Sequence, residues 1–286
     1  MFVDKINKFL PEYENIERDY FLNLLEWSNV WFDIYKLEKD FLLTLILIKF
    51  WQKYPDLVFK WWTCLNKVYF DYFRLSEDLD FVVNIDWWRD TRKKIMKNYE
   101  IWIIDDLKIL WMKIKEERTK YDEYKLAMFT FFYNSVIDNS EQLIKIDISA
   151  KNKLQLAPKQ WKINTIFYDE IYNKKVFDER VINCIDIKEA LAEKIRACLT
   201  IDPSAIRDFF DIRYAKNCSD FDFSDDEFKS LVDEKLKESS YDYHIDENKE
   251  LLFEQIKKDL NPVLNKHYDF NLNEVIDFID SFKVVK

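Results

Sequence analysis

Two acids one residue apart, Asp78 and Asp80, stand at the start of an apolar, β-branched run, Leu79 to Val83. On a strand, side chains two apart leave the same face, so these carboxylates project together. Neighbouring carboxylates repel one another unless a cation lies between them. Magnesium takes oxygen ligands and keeps coordination sites for substrate phosphates, so the pair suits a magnesium–nucleotide complex. Taken alone, Asp-x-Asp describes two solvated acids at a strand end equally well. The residues ahead of it narrow the choice. Leu57-Val58-Phe59-Lys60 reads as a short strand, Trp61-Trp62 as a turn, and Thr63 to Tyr72 as a helix. A strand that turns into a helix start offers backbone N–H groups and a positive dipole end to polyphosphate, and the Thr63 hydroxyl could join them.

The turn is where the sequence is strange. The chain has no glycine and 10 tryptophans, whereas ordinary usage of about 7% would give roughly 20 glycines. Trp61-Trp62 and Trp87-Trp88 both fall between elements, where a chain turns and favours a residue without a Cβ. With glycine at 61 and 62 the backbone could approach a triphosphate closely; with tryptophan, each indole crowds that space. The expectation is that many or all of the tryptophans stand where the native protein carries glycine. A UGA codon, read as tryptophan in some genetic codes and as glycine in others, would connect the two anomalies. Abundant Lys, Asn, Ile, Tyr and Phe fit an AU-rich gene. The alternative is an aromatic-rich protein whose Trp-Trp pairs are ordinary packing.

The elements that must position these groups follow from periodicity. Residues 38–54 read as a helix apolar nearly all round, and 89–117 as a helix opening on a basic cluster. Residues 125–133 and 142–149 read as strands; in the second, Leu143, Lys145 and Asp147 alternate with Ile144, Ile146 and Ile148. A lysine-rich loop, Lys151 to Lys162, follows. Beyond Ile185 helices take over. Asp186 and Glu189 have capping-box spacing, Ser224 and Glu227 repeat it, and Pro203 suits the first turn of a helix through Asn217. Helical pattern continues to the last residue with breaks at Pro262 and near Asp269. The expected fold is α+β, a mixed sheet flanked by helices over residues 1–185, then a helical lobe over 186–286.

Composition closes off other classes. At 286 residues, 48% hydrophobic and 34% charged, the chain reads as soluble and globular. The apolar stretch Phe41 to Trp51 is too short for a bilayer, which needs ~20 residues. The first ten residues do not have the pattern of a secretory signal, so a cytoplasmic protein is expected. Four scattered cysteines and two histidines, His244 and His267, argue against a zinc site or a disulfide framework and for reduced, mostly buried thiols. A net charge of -10 means that a nucleic-acid partner must meet a local basic patch. Arg89-Arg92-Lys93-Lys94-Lys97 and Lys151-Lys153-Lys159-Lys162 are candidates, or two solvated faces. The stripe Phe129-Phe131-Phe132-Tyr133 reads as core.

Read with glycine at 61 and 62, FKWWTCLNKVYFDYFRLSEDLDF (59–81) resembles the signature of the AbiEii/AbiGii-type nucleotidyltransferase toxins of abortive-infection and toxin–antitoxin systems, within the polymerase-β-like superfamily. The likeness continues through IKIDIS, AEKIRA and AIRDFFDIRY, over roughly residues 35–220. The Trp-Trp pair is the departure, and it bears on phosphate binding. The resemblance implies catalytic roles for Asp78, Asp80, Asp147, Lys194 and Asp208, with Asp78 and Asp80 as the metal acids and Asp147 as a third carboxylate. It implies a nucleotide site from Trp61, Trp62, Thr63, Lys67 and Ser76. Otherwise Lys194 would be an exposed helix lysine beside Glu193, and Asp208 with Asp211 and Arg207 a surface ion-pair cluster. Asp147 is harder to set aside, because a half-buried acid needs a partner. Arg74 could support the acidic motif through a salt bridge. The activity implied is Mg²⁺-dependent transfer of a nucleotide from an NTP to RNA, with the 3′ end of tRNA as acceptor and an antitoxin protein as restraining partner. The alternatives are transfer to a protein or small molecule, and an inactive nucleotide-binding interaction protein.

Overall fold

The computed structural model describes residues 17–28, 32–70, 72–83, 88–121, 123–150, 154–169, 173–265 and 268–284. Trp87, Lys151, Lys153 and His267, singled out above, lie outside them. Two helices come first, α1 (Arg18–Ser28) and α2 (Ile34–Lys53). Asp33 caps α2, its carboxylate accepting from the amides of Tyr35 and Lys36, which satisfies otherwise orphaned donors. As the sequence predicts, α2 is buried along most of its surface; Leu42, Leu43, Ile46 and Leu47 are wholly covered.

The centre is a seven-stranded sheet of β1 (Leu57–Lys60), β2 (Asp78–Val83), β3 (Lys113–Tyr121), β4 (Leu126–Asn134), β5 (Glu141–Ser149), β6 (Lys159–Lys162) and β9 (Val181–Cys184). Its spatial order is β3-β4-β5-β2-β1-β9-β6, and a separate two-stranded ribbon joins β7 (Tyr168–Asp169) to β8 (Lys174–Lys175). β2 runs parallel to β5 and antiparallel to β1, and β1 runs parallel to β9. The alternation expected in 142–149 holds: Ile144, Ile146 and Ile148 are fully covered while Lys145 is exposed. Phe129, Phe131 and Tyr133 of β4 are core residues, as expected, whereas Phe132 alternates onto the other face and is half-buried.

Helix α3 (Trp61–Cys64) leaves β1 directly and continues as a π-helical turn, Leu65–Tyr69; α4 (Arg89–Ile109) links β2 to β3. After β9 come α5 (Ile187–Thr200), α6 (Ile206–Cys218), α7 (Asp226–Glu238), α8 (Lys249–Gln255) and α9 (Leu272–Asp280). One apolar cluster runs from α2 through the sheet into α5, α6, α7 and α9. The carboxy-terminal helices therefore share a core with the sheet.

Several boundaries differ from the sequence reading. The helix expected over 89–117 stops at Ile109, and the chain reverses into β3. There the Trp111 amide bonds to Lys108 O and the Met112 amide to Leu107 O, the paired bonds of a Schellman stop. The loop expected over 151–162 contains β6, an edge strand paired antiparallel with β9. Asp225, not Ser224, caps α7, and α6 begins at Ile206, three residues beyond Pro203. Asp186 caps α5 as expected. Glu189, however, does not complete the box: its carboxylate takes the amides of Gln155 and Leu156 and the Lys235 ammonium. Among the described residues no helix is long and apolar enough to cross a membrane. Cys64, Cys184 and Cys198 are buried and Cys218 is exposed, all of them free.

Candidate active site

The acids come together through strand register. Asp80 of β2 is the direct partner of Asp147 of β5, and Asp78 is opposite Lys145. Parallel neighbours lie ≈ 4.8 Å apart and share a face, so Asp78, Asp80 and Asp147 form one acidic patch on one side of the sheet. Burial pushes all three carboxyls above the ordinary range. Mutual repulsion adds to this, and Asp80 reaches about 7 and Asp147 about 6. Lysines oppose the effect: Lys60, the register partner of Asp80 on β1, acts on Asp80 and Asp147, and Lys145 acts on Asp78 and Asp147. Sequence reasoning missed Lys60 and Lys145 as neighbours of the acids. The i, i+2 spacing of Lys145 and Asp147 was the available signal.

The turn after β1 approaches the acidic strand from the other side. Thr63 is buried, and its hydroxyl is bonded to Ser76 Oγ at 2.6 Å and to the carbonyl of Asp78. These contacts lock the start of α3 against the entry to β2. Glu77 lies beside them. Burial raises its carboxyl, but Lys36 and Lys39 outweigh that and hold it at about 2.

The helical segment supplies the third wall. Lys194 on α5 is not an exposed lysine: it is buried and bonds Asp208 at 2.9 Å and Asp211 at 3.2 Å, both on α6. Glu193 instead serves Arg196 and Lys235. Arg74 grips Asp211 with two parallel bonds, Nε to Oδ1 at 2.7 Å and Nη2 to Oδ2 at 2.8 Å. The salt bridge expected of Arg74 thus exists, and it joins the segment leading into the acidic strand to α6. Asp208 and Asp211 are buried, not a surface cluster. Burial raises Asp208 to about 6, even though Lys194 pulls the other way.

Lys67 requires a correction. It is fully buried, and its ammonium donates to Asp40 Oδ2 (2.8 Å), Thr44 Oγ1 (2.8 Å) and Tyr72 OH (2.9 Å). An ammonium has three protons, so none is left for a nucleotide. Lys67 fastens the π-turn to α2.

The two tryptophans occupy the space between these walls. Trp61 has left-handed backbone, φ 62°. Its ring lies 5.0 Å from the Lys60 ammonium and 6.1 Å from the ring of Trp62. The Trp62 ring is pressed onto the Lys194 ammonium and lies 5.1 Å from the Arg74 guanidinium. A void of about 10 Å³ remains between Trp61, Ile185, Ala190, Glu193 and Lys194. The basic run on α4 is exposed at Arg89, Lys93, Lys94 and Lys97. Lys159 and Lys162, by contrast, face Asp186 and Glu179.

A mixed sheet with paired acids at the strand after a strand–turn–helix unit, in a chain that matches a nucleotidyltransferase family, marks the fold as that of a nucleotidyltransferase. The chain belongs to the nucleotidyl transferase AbiEii toxin family of type IV toxin–antitoxin systems, whose model matches residues 52–282. Its fold is shared with the crystal structure of JHP933 from Helicobacter pylori, at TM-score 0.50 and 18% identity over 88% of this chain and 92% of that one. A second H. pylori crystal structure, described as a candidate nucleotidyltransferase, aligns at TM-score 0.50 and 18% identity, covering 87% and 92%. No curated protein matches the chain.

Proposed function

We propose that this nucleotidyltransferase moves a nucleotide from a magnesium-bound NTP to an RNA hydroxyl, releasing pyrophosphate, with the 3′ end of a tRNA as acceptor, as the toxin of a pair restrained by an antitoxin. The observation that carries the reading is the register match of Asp80 with Asp147, with Asp78 on the same face. Residues 1–185 would supply the metal acids, and 186–286 the Lys194–Asp208 couple.

The donor set fits magnesium in a particular way. Among the described residues no three His, Cys, Asp or Glu side chains close around one point. Magnesium does not require that: it is commonly held by one or two carboxylates and completed by substrate phosphates and water. Burial raises the carboxyls of Asp78 and Asp80 despite the lysines nearby, a cost that a divalent cation would offset. Asp78 and Asp80 would hold the ion, which supplies charge neutralisation at the phosphates. Asp147 lies next to Asp80 and would take the proton of the attacking hydroxyl. Thr63 and Ser76 hold the turn against Asp78, so that backbone amides of α3 face the polyphosphate. Lys194, oriented by Asp208 and Asp211, brings positive charge toward the same space. The protein thus contributes positioning and electrostatics more than covalent chemistry.

Purified protein incubated with magnesium and radiolabelled NTPs should label RNA, and not protein or small-molecule fractions. Asp80→Ala should lower that labelling by more than about a hundredfold, as loss of a metal-positioning group does. Labelling that survives the substitution removes Asp80 from the mechanism. One observation favours a second reading: the Trp62 ring occupies the space in front of Lys194. With that ring in place the chain would be a nucleotide-binding or inert interaction protein. Calorimetry with magnesium–NTP beside the turnover assay separates binding from catalysis.

A further inference from the structure

We propose that Lys145 and Arg207 form the clamp for the phosphate backbone of the acceptor strand, an inference that rests on the nucleotidyl-transfer reading. Among the described residues neither side chain has a hydrogen bond or ion pair, in a fold where Lys60, Lys67, Lys194 and Arg74 are covered or paired. Lys145 is on the strand face of the acidic patch, and Arg207 stands one residue before Asp208. Lys145 is the register partner of Asp78, exposed at the rim, and Arg207 on the first turn of α6 acts on the same carboxylate. Among the described residues both are cations without a hydrogen-bonded or ion-paired partner, in a chain of net charge -10.

Sheet order fixes which phosphates they serve. The turn at 61–63 follows β1, on one side of β2, whereas Lys145 is on β5, on the other side. A polyphosphate at the turn therefore leaves Lys145 on the acceptor side, the side of Asp147. Lys145 and Asp147 leave the same face of one strand, two residues or roughly 6.6 Å apart. A terminal hydroxyl at Asp147 then brings the next phosphodiester toward Lys145.

The test uses fluorescence polarisation of unfractionated tRNA in a salt series, together with steady-state kinetics. Lys145→Ala and Arg207→Ala should each weaken tRNA binding about five- to tenfold. Each should also flatten the dependence of log affinity on log salt by about 0.7 for every phosphate no longer neutralised. KM for the NTP should stay unchanged and Lys145→Arg should restore binding. Lys145 is exposed and makes no hydrogen bond or ion pair among the described residues, so Lys145→Ala should melt close to the parent. Unchanged tRNA affinity overturns the inference, and so does a rise confined to KM for the NTP. Asp80→Ala separates the two levels: it should keep tRNA affinity and lose transfer. If it keeps transfer, the underlying reading fails; if it behaves as expected while Lys145→Ala binds tRNA normally, only the clamp fails.

Left-handed backbone at 61 and 111, with the ring at 62 crowded onto Lys194, carries a second inference independently: the functional protein has glycine at 61, 62 and 111. Trp61 and Trp111 both have left-handed φ, 62° and 55°, which costs an L-residue other than glycine roughly 1–2 kcal/mol. Trp111 sits at the position of the Schellman stop where glycine is preferred. Tyr72 and Tyr124 share left-handed backbone with buried rings, and Glu123, Asn139, Asn173, Ser240 and Tyr241 adopt it without full burial. The Trp111 ring is 48% exposed, and the ring at 61 fills the cleft instead of the core. Of the six tryptophans whose side chains are described, none is buried. Such a pattern suits positions that evolved without a side chain. Peptide mass mapping of the protein made by its native host should find glycine at all three positions. In the chain as written, Trp61→Gly with Trp62→Gly should tighten magnesium–ATP at least tenfold, and Trp111→Gly should raise the melting temperature. Peptides carrying tryptophan at all three positions overturn this inference.

Discussion

At the residue scale the molecule separates lysines by burial. Lys67 and Lys194 are both covered, yet Lys67 spends every proton on Asp40, Thr44 and Tyr72, and Lys194 turns to two acids bordering the cleft. Lys67→Met should cost stability, because it strands Asp40 in the core; breaking a buried ion pair from one side costs about 3–5 kcal/mol. KM for the NTP should not move, which steady-state kinetics on the folded fraction would show. Asp208 gives the pH dependence. Its carboxyl is raised from 3.8 to about 6, so between those values the folded chain holds a proton that the unfolded chain has lost. Stability attributable to Asp208 therefore falls as the pH rises through that window. Urea titrations of Asp208→Asn should lack this decline. Sequence spacing exposed the Asp78–Asp80 pair because a strand repeats every two residues. It could not expose the duties of Lys67, since burial of a lysine depends on residues 23 and 27 positions away.

At the element scale, legibility followed apolar contrast. β5 and β2 announce themselves through alternation and β-branching, and Asp147 with Asp80 comes with them. β3 reads KIKEERTKY, an edge strand with so little apolar content that it passed for the end of α4. β6, KQWK, is exposed at all four positions and passed for a loop. Such strands exist because β4 and β9 supply the ladder, so their pairing is the neighbour's information. The reversal from α4 into β3 is the more testable element. Trp111→Gly removes the left-handed cost there, and the melting temperature should rise by the equivalent of about 1 kcal/mol. Trp111→Val, β-branched at the same φ, should lower it, and calorimetric melting would check both.

At the scale of the whole molecule, the Arg74–Asp211 fork bridges 137 residues of sequence, from the segment leading into the acidic strand to α6. No periodicity reveals such a pair. Arg74→Ala should destabilise the protein by about 1.5–3 kcal/mol, since Asp211 loses its fork and keeps only Lys194, while Arg74→Met with Asp211→Leu should recover much of that deficit. The paired variant should still lose transfer, because Lys194 would then have one orienting acid fewer. Urea midpoints and RNA labelling measured on the same samples would show whether the fork stabilises, aligns, or does both.

β1 carries a consequence in time. Phe59 pairs with Cys184 across a parallel ladder, and Lys194, Asp208 and Asp211 lie later still. A ribosome making this chain finishes Asp80 long before the residues that enclose it. At about 5–20 residues per second that interval is on the order of ten seconds. Throughout it the nascent chain lacks Lys194, Asp208 and Asp211, so the cleft wall does not yet exist. A chain halted after residue 185 should therefore be tolerated by cells that the full-length protein poisons.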